Sequence, residues 1–380
     1  MALMQRGLAL PAVLSAAMAV LCPLGLRGQT PTPATICAVQ PPYGQWGPVT
    51  QLIAGTNSDA FSLQMSPEQL SAWKSYSKVS GADWVNLQRR YLDKIDVWRS
   101  RFLGKAQLGD VAFYPFSGPD AANMFAFFPD AREYVLVGLE PVGCVPAGVQ
   151  DYTGTYLSDL RRSLGPVVAL GFFRTNDMHR EFSQSSVNGV LPLLLFLMAR
   201  GGYSIQDVTP ITITSAGQVL PSANQPKGET SGVAIQFSDP RHGLRTLRYF
   251  SLNLQDSRIK RKPGTLKYLQ SLPQTSTLVK SASYLMHKEY FSFIRDLILS
   301  KSRVVVEDDS GIPLHFFESA AWKVDLYGSY AEPIGLFKNW HQEDLKLAFA
   351  SSTDIPPLDF AIGYRNRSQS NLLVAFRRTK

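Results

Sequence analysis

The sequence predicts an α/β fold in which a mixed, mainly parallel sheet is flanked by helices and carries an antiparallel hairpin insertion. Near-continuous apolar runs at residues 134–139, 167–173 and 303–306 predict strands that are buried on both faces, as in parallel sheets. Helical segments at residues 121–128 and 156–164 separate the first of these strands from its neighbours. This alternation of strand and helix is typical of folds with a parallel sheet.

The composition is that of a globular protein with a sizeable core. The chain has 380 residues, of which 45% are hydrophobic and 18% are charged. It contains no low-complexity tract and no heptad repeat, which excludes the fibrous and coiled-coil classes. The formal net charge of +8 is compatible with anionic partners such as glycans, lipid head groups or cell-wall polymers, but it is too modest to predict any one of them.

The first elements after residue 60 are predicted to be helical. Ser66 is a good N-cap, Pro67 suits the first helical turn, and Gln69 completes a capping box. A second helix is expected over residues 82–102, where aromatic and aliphatic residues recur at spacings of three and four. Residues 110–114 then predict the first strand.

The second half of the chain is predicted to add antiparallel pairing. Residues 190–199 predict an apolar helix. A membrane span needs roughly 20 apolar residues, and this segment has only about half that number. Residues 233–237 and 244–254 flank a turn and indicate a hairpin. Residues 290–300 indicate a further helix. A final hairpin is expected within residues 360–378.

Two strand-end segments resemble each other. Residues 139–146 and residues 306–313 each follow an apolar strand, and both place a glutamate and a proline at the same spacing. One interpretation is a duplicated α/β unit with halves at residues 61–215 and 216–380. The other is chance, because acidic loops with glycine and proline often follow strands.

The N-terminus has the pattern of a secretory signal peptide. Arg6 precedes an apolar stretch at residues 8–26, and a polar, proline-rich segment follows it. We therefore expect a signal peptide at residues 1–28, an extended arm at residues 29–60 and a single α/β domain at residues 61–380. The alternative is an N-terminal membrane anchor. Export predicts a periplasmic or secreted protein and argues against a nucleic-acid partner, while envelope association and the oligomeric state stay open.

Two cysteines would remain after removal of the signal peptide. Cys37 and Cys144 can pair in an oxidising compartment, and the disulfide would tie the arm to the domain. The alternative is two free thiols.

Polar side chains that follow the predicted strands form the candidate ligand site. In open α/β sheets, ligands bind beyond the carboxyl ends of the strands. The candidate ligand-binding residues are Ser117, Gly118, Asp120, Glu140, Arg174, Asn176, Asp177, Glu307, Asp308 and Ser310. The alternative is that these residues cap helices and solvate loops.

Three carboxylates, those of Asp120, Glu140 and Asp309, are candidates for acid–base catalysis. The histidines lack ligand spacing, so no metal site is predicted. Glu140 at the end of a strand resembles the acidic residue that holds a ribose in Rossmann-type folds. The preceding turn has only Gly118 in place of a glycine-rich fingerprint, however, and export removes the protein from nucleotide pools, so no cofactor is predicted.

Three segments carry a family resemblance. Residues 114–120 (YPFSGPD), 138–143 (GLEPVG) and 308–313 (DDSGIP) together resemble an uncharacterised family of exported bacterial proteins. The resemblance covers most of the chain after residue 60. It implies a shared fold with these loops as landmarks, and it carries over no activity and no catalytic residue.

The sequence thus favours an exported protein that binds a small polar or carbohydrate-like (glycan) ligand at the carboxyl ends of its strands. One alternative is a cell-envelope hydrolase with carboxylate acid and base. A second is a relative of Rossmann-like methyltransferases without activity. Whether the protein is an enzyme is left open.

Overall fold

The structure is a computed structural model that describes residues 45–171, 178, 182, 185–222 and 229–378. The chain divides into two units, residues 1–33 and residues 34–380. The first unit lies outside the described residues, and so do the predicted signal peptide and residues 29–44 of the predicted arm.

The described chain contains both α-helices and β-strands. The helices are α1 (Trp46–Ala54), α2 (Pro67–Leu87), α3 (Asp93–Phe102), α4 (Ala121–Phe127), α5 (Gly154–Leu170), α6 (Leu191–Arg200), α7 (Asp256–Ile259), α8 (Pro263–Ser271), α9 (Ser292–Lys301) and α10 (Glu343–Ser351). The strands are β1 (Val111–Tyr114), β2 (Glu133–Gly138), β3 (Ser204–Ile213), β4 (Val219–Pro221), β5 (Thr230–Asp239), β6 (His242–Ser251), β7 (Thr275–Val279), β8 (Ser302–Glu307), β9 (Trp322–Gly328) and β10 (Asn371–Arg377).

All ten strands belong to one mixed sheet in the order β4-β3-β5-β6-β2-β1-β7-β8-β10-β9. Four neighbouring pairs are parallel and lie at the centre, between β6 and β8. Five pairs are antiparallel and lie at the two flanks. The α/β class and the hairpin insertion are therefore confirmed, whereas a mainly parallel sheet is not, because the insertion and the reversed strand β10 add antiparallel pairs.

The five parallel strands follow a Rossmann-type order. In chain order they are β1, β2, β6, β7 and β8, and across the sheet they stand third, second, first, fourth, fifth. This is the order of doubly wound folds, in which the chain turns back beside the first strand. The switch point lies between β1 and β7.

Helices cover both faces of the sheet. In β1, Ala112 and Tyr114 join the apolar cluster on the side of α1 to α6, whereas Val111 and Phe113 join the cluster on the side of α8 to α10. Strands buried on both faces read as continuous apolar runs, which explains why β2 and β8 were predicted correctly. Within the described part of the chain, no helix combines the length and the apolarity needed to cross a membrane.

The two helices predicted after residue 60 form one continuous run. The capping box is present, since the Ser66 hydroxyl accepts from the Gln69 amide at 3.2 Å and the Gln69 side chain accepts from the Ser66 amide at 3.0 Å. Helix α2 passes into α3 through a π-helical turn, Gln88–Leu92. Such turns often occur at functional sites, and this one carries the buried Tyr91.

The predicted strand at residues 167–173 is wrong. Helix α5 runs through Pro166 to Leu170 and ends at Gly171. Leu160, Leu164 and Val167 recur at spacings of four and three and are all buried, so a helical face outweighs the β-propensity of the valines. Residues 172 and 173 lie outside the described residues.

Two further expectations are corrected. Part of the predicted extended arm is helix α1, whose Val49, Leu52 and Ile53 are fully buried, because its apolar residues share one face. The predicted C-terminal hairpin does not form, since β10 pairs with β8 and β9 and not with residues near Phe360. Phe360 packs in the core as a loop residue.

The two similar strand-end segments lie at the same edge of the sheet, beyond β2 and β8, and β1 and β7 stand between them. A shared edge follows from parallel strands alone. Duplication of an α/β unit is therefore not confirmed.

Candidate functional site

The candidate site is the carboxyl edge of β2, β1, β7 and β8, which we call the switch-point rim. It comprises residues 116–120 after β1, 139–140 after β2 and 280–284 after β7, together with Glu307 at the end of β8 and residues 308–310 after it. The rim brings together eight residues predicted from the sequence, namely Ser117, Gly118, Asp120, Glu140, Glu307, Asp308, Asp309 and Ser310. The other predicted residues, Arg174, Asn176 and Asp177, lie outside the described residues.

A buried ion pair occupies the switch point. The Lys280 ammonium lies 2.9 Å from Oδ2 of Asp120, and the two side chains are 1% and 2% exposed. Lys280 also donates to the carbonyl of Gly171 at 2.5 Å, and the Tyr114 hydroxyl donates to Asp120 Oδ2 at 3.0 Å. Buried charges need such partners, because desolvation otherwise disfavours them. The pair thus fixes the loop after β7 against the loop after β1.

Asn123 of α4 is a second hydrogen-bond partner of Asp120, and Tyr91 of the π-helical turn holds Asn123 in place. The Asn123 amide donates to both carboxylate oxygens of Asp120, at 2.8 and 3.0 Å, and to the Gly171 carbonyl at 3.1 Å. The Tyr91 hydroxyl donates to Asn123 Oδ1 at 2.6 Å. Burial and the charge of Asp120 raise the pKa of Tyr91 well above its usual range, so this phenol stays a donor.

Asp308 links the loops after β7 and β8. Its Oδ2 accepts from the Ser281 amide at 3.1 Å, and its Oδ1 accepts from the Ser310 amide at 3.0 Å and the Ser310 hydroxyl at 2.5 Å. Burial, and after it the charge of Asp309, raise the pKa of Asp308 to about 6. Burial, and after it the charges of Asp120 and Asp308, raise the pKa of Tyr114 well above its usual range, which places the two carboxylates in one electrostatic cluster.

Asp309 is held by partners from the C-terminal part of the chain. Its carboxylate pairs with the Arg365 guanidinium at 3.3 Å and accepts from Asn371 at 3.0 Å. The Tyr284 hydroxyl also donates to it. Both of its carboxylate oxygens are engaged, as are those of Asp120. Two of the three predicted catalytic carboxylates therefore lie in structural ion pairs.

Glu140 differs from these carboxylates in having an oxygen without a partner among the described residues. The residue is 3% exposed, and within that part of the chain Oε1 is a buried atom without a hydrogen bond. Oε2 lies 3.5 Å from the Tyr249 hydroxyl, which is a long contact. A Cβ at Gly138 would lie 2.5 Å from Oε2, so only glycine leaves room for this carboxylate. An unsatisfied buried acceptor calls for a physical explanation.

Three further predicted residues, Glu307, Ser117 and Ser310, form hydrogen bonds with backbone groups at the rim. Burial raises the pKa of Glu307 well above its usual range, and its Oε2 accepts from the Ile312 amide at 2.9 Å. The Ser117 hydroxyl donates to the carbonyls of Gly118 and Val137. The Ser310 hydroxyl accepts from the Ala282 amide at 2.8 Å. Through these contacts, all three side chains hydrogen-bond to the backbone in and beside the rim loops.

Backbone strain concentrates at the rim. Within the described residues, four non-glycine residues have a left-handed φ between 51° and 61°, namely Phe116, Ser281, Ser283 and Tyr284. All four lie in the loops after β1 and β7, on the two sides of the switch point. Such conformations cost about 1–3 kcal/mol each and cluster at ligand clamps and active sites.

Sequence reasoning missed the β7 side of the rim. Strand β7 (Thr275–Val279) is short and half polar, so its apolar signal is weak, yet all five of its residues are buried. With the strand, Lys280 and Ser281 were missed, together with Arg365. The one local signal was a β-branched residue at every second position, Thr275, Thr277 and Val279.

Two further predictions concern metal binding and the pairing of the two cysteines. Among the described residues, no group of three or more His, Cys, Asp or Glu side chains is arranged to hold a metal ion. Cys144 takes part in a disulfide. Cys37 lies outside the described residues, so the pairing of these two cysteines stays a prediction.

The raised pKa of Asp308 predicts a pH dependence of stability. A carboxyl whose folded pKa is about 6, against 3.8 unfolded, binds more protons in the folded state. Its stabilising contribution is complete below about pH 4 and is lost as the pH rises to about 6. We expect the free energy of unfolding of the wild type, relative to Asp308→Asn, to fall by about 1–3 kcal/mol over this interval.

Urea unfolding at intervals of half a pH unit measures this difference. The comparison with the variant is needed because His287 acts in the opposite direction: burial lowers its pKa to about 4, so its contribution is lost as the pH falls toward 4. His287 is common to both proteins and cancels in the difference. A constant difference between the two proteins from pH 4 to pH 6 would contradict the prediction.

The chain matches no protein-family model, and comparisons with curated proteins and with solved structures gave no significant match.

Proposed function

We propose that the switch-point rim binds a small polar or carbohydrate-like ligand. The observation that carries the proposal is the strain of Phe116, Ser281, Ser283 and Tyr284, which lies on both sides of the switch point. Ligands of open α/β sheets bind at this point of the fold. Strained loops that a buried ion pair and several hydrogen bonds hold in place are typical of preorganised binding sites.

The free oxygen of Glu140 indicates what such a ligand would offer. A buried carboxylate oxygen without a partner is satisfied best by a donor, and the hydroxyls of a sugar are donors. Leu139, which is 56% exposed, and the half-buried Phe116 lie next to Glu140 and Ser117 along the chain and are the apolar side chains nearest in sequence for such a ligand to contact. Mostly apolar walls with a few placed polar groups are usual for small-molecule sites.

A thermal-shift screen tests the proposal. The probes are glucose, N-acetylglucosamine, cellobiose, ribose and adenosine at millimolar concentration. We expect at least one probe to raise the melting temperature of the wild type, because a ligand that binds only the folded state stabilises it. Glu140→Gln replaces one acceptor oxygen by an amide at constant size, and we expect it to weaken binding at least tenfold, or about 1.4 kcal/mol.

Glu343→Gln is the matched control, since Glu343 lies on the surface at the start of α10. It should keep the wild-type shift. The proposal is refuted if no probe stabilises the protein or if Glu140→Gln binds as the wild type does. Turnover of a bound probe that Glu140→Gln abolishes would favour the hydrolase alternative over a binding protein.

A relative of Rossmann-like methyltransferases without activity is the second candidate. Two observations support it: the strand order third, second, first, fourth, fifth, and Glu140 beyond the second strand, where Rossmann-type folds place a ribose-binding acid. This is a fold-level analogy, and the same fold hosts many functions. Adenosine as the best probe of the screen would favour it.

We also propose that the protein acts in the periplasm or outside the cell. The signal-peptide pattern of residues 1–28 supports export, and the disulfide of Cys144 supports an oxidising compartment. Detection of the protein in the cytosol with residues 1–28 attached would refute this part of the proposal.

A further inference from the structure

A groove runs along the outer edge of β9, the last strand of the sheet. Its volume is about 540 Å³, within the range of roughly 300–1,000 Å³ that ligand pockets have. One wall consists of residues 324–327 of β9, and the opposite wall comes from residues 348–356. Phe102 and Leu314 complete the lining. The groove belongs to a strand outside the switch-point rim.

The edge of β9 presents backbone groups to this groove. The amides of Trp322 and Gly328 form hydrogen bonds outside the β9–β10 ladder, to Glu318 and Pro356 at 2.9 and 2.8 Å. Alternate residues of a strand direct their amide and carbonyl groups to the same side. Val324 and Leu326 have the same parity and therefore also face outward.

Within the described part of the chain, Val324 and Leu326 form no hydrogen bond on this outward side. Two amides and two carbonyls thus remain available along the groove. An edge of this kind is a template for pairing with a further strand. The bond from Gly328 to Pro356 closes one end of the edge and leaves the middle open.

The charge of the groove selects among peptides. Asp325 and Asp354 are the charged residues of its lining, which includes no basic residue from the described ranges. Asp325 pairs with Lys323 at 2.9 Å, whereas Asp354 is exposed and accepts a long contact of 3.5 Å from the Thr353 hydroxyl. The chain as a whole carries a net charge of +8, so this acidic groove contrasts with it. A cationic side chain complements Asp354.

We propose that the β9 groove binds an extended, basic segment of another protein by strand addition, with a lysine or arginine beside Asp354. Main-chain hydrogen bonds to an exposed sheet edge provide affinity in this mode of recognition, and side-chain pockets provide specificity. Phe102, Leu314 and Ile355 offer the apolar contacts for alternate side chains of the peptide. Residues 29–44, the first half of the arm predicted at residues 29–60, contain no lysine or arginine, so their charge does not suit the groove.

Fluorescence anisotropy with a labelled peptide tests the proposal. The probe is the heptapeptide Thr-Val-Lys-Val-Lys-Val-Thr, and we expect saturable binding to the full mature chain at low ionic strength. A version with glutamate in place of lysine tests charge, and a version N-methylated at alternate amides tests backbone pairing. Each change should weaken binding at least tenfold. Equal binding of the N-methylated peptide would overturn strand addition.

Two variants place the binding at the groove. Asp354→Lys reverses the charge beside the peptide, and Glu318→Lys makes the same change on a nearby exposed residue outside the lining. Val324→Pro removes an outward amide, and the ladder with β10 survives because that amide does not take part in it. We expect Asp354→Lys and Val324→Pro to lose at least tenfold in affinity while Glu318→Lys keeps it.

Melting temperatures check that the variants fold, and sedimentation velocity checks the oligomeric state. Wild-type affinity in folded Asp354→Lys or Val324→Pro would overturn the assignment of the groove. Self-association of the wild type that both variants abolish would also overturn it, because a second copy of the chain would then be the occupant. No outcome of these measurements depends on the ligand of the switch-point rim.

Discussion

Replacing Lys280 by methionine should destabilise the protein by about 3–5 kcal/mol, the usual cost of breaking a buried ion pair. The substitution keeps the length and most of the volume of the side chain but leaves the Asp120 carboxylate, 2% exposed, without its cation. It also leaves the Gly171 carbonyl without this donor. Urea unfolding at pH 7, followed by circular dichroism, measures the loss.

A surface ion pair provides the matched control. Lys323 pairs with Asp325 at the same 2.9 Å, but the two side chains are 61% and 31% exposed. Because solvent screens such pairs, Lys323→Met should change the free energy of unfolding by no more than about 1 kcal/mol. Equal effects of the two lysine substitutions would show that burial of Lys280 has no special role.

The double variant Asp120→Asn, Lys280→Met separates charge from packing. With both charges removed, no uncompensated charge from this pair is left in the core, so the double variant should be more stable than Lys280→Met alone. If it is less stable than the single variant by the full cost of Asp120→Asn, the two residues act independently. That result would contradict the ion pair as the element that joins the loops after β1 and β7.

Replacing Gly363 by alanine should cost at least about 2 kcal/mol, through strain and steric overlap together. Gly363 has a φ of 67°, and a Cβ there would lie 1.9 Å from Oδ2 of Asp308. The two residues that follow, Tyr364 and Arg365, contact the rim at Ser281 and Asp309. The overlap must therefore displace either Asp308 or the segment that supports the rim.

Gly335→Ala is the control for this substitution, because a Cβ added at Gly335 would meet no atom of the described residues within 4 Å, and its φ is not left-handed. It should change the free energy of unfolding by less than about 0.5 kcal/mol. In the background of Asp308→Ala the penalty of Gly363→Ala should shrink, since the overlapping carboxylate is then absent. An unchanged penalty in that background would assign the whole effect to backbone strain.

These variants also bear on the role of the rim. Lys280→Met and Gly363→Ala act on the supports of the strained loops, whereas Glu140→Gln acts on the carboxylate with a free oxygen. If the rim is a binding site, ligand affinity should respond to Glu140→Gln without a matching loss of stability. The other two variants should lose stability first, and affinity as a consequence.

Local signals determined much of this fold. The capping box of Ser66 and Gln69 depends on residues three positions apart, and the hairpin of β5 and β6 on a short turn. Strands β2 and β8 were evident because burial on both faces makes their sequences continuously apolar. Since Glu140 and Asp308 follow these strands, their position at the carboxyl edge could be predicted from the sequence alone.

Tertiary contacts decided the rest. The sequence places helix signals and β-propensity together at residues 167–170, and only packing against the core selects the helix. Strand β7 is half polar, so its burial depends on the neighbours β1 and β8 and not on its own pattern.

The partners of the carboxylates likewise come from segments that are distant in the chain. Lys280 reaches a carbonyl 109 residues away in the chain, and Arg365 an aspartate 56 residues away. The sequence by itself determined which acids stand at the edge of the sheet. Only the tertiary structure determined which of these acids have cations or hydrogen-bond donors as partners, because ion pairs and hydrogen bonds between remote segments depend on the folded geometry. Among the described residues, that geometry leaves one oxygen of Glu140 free.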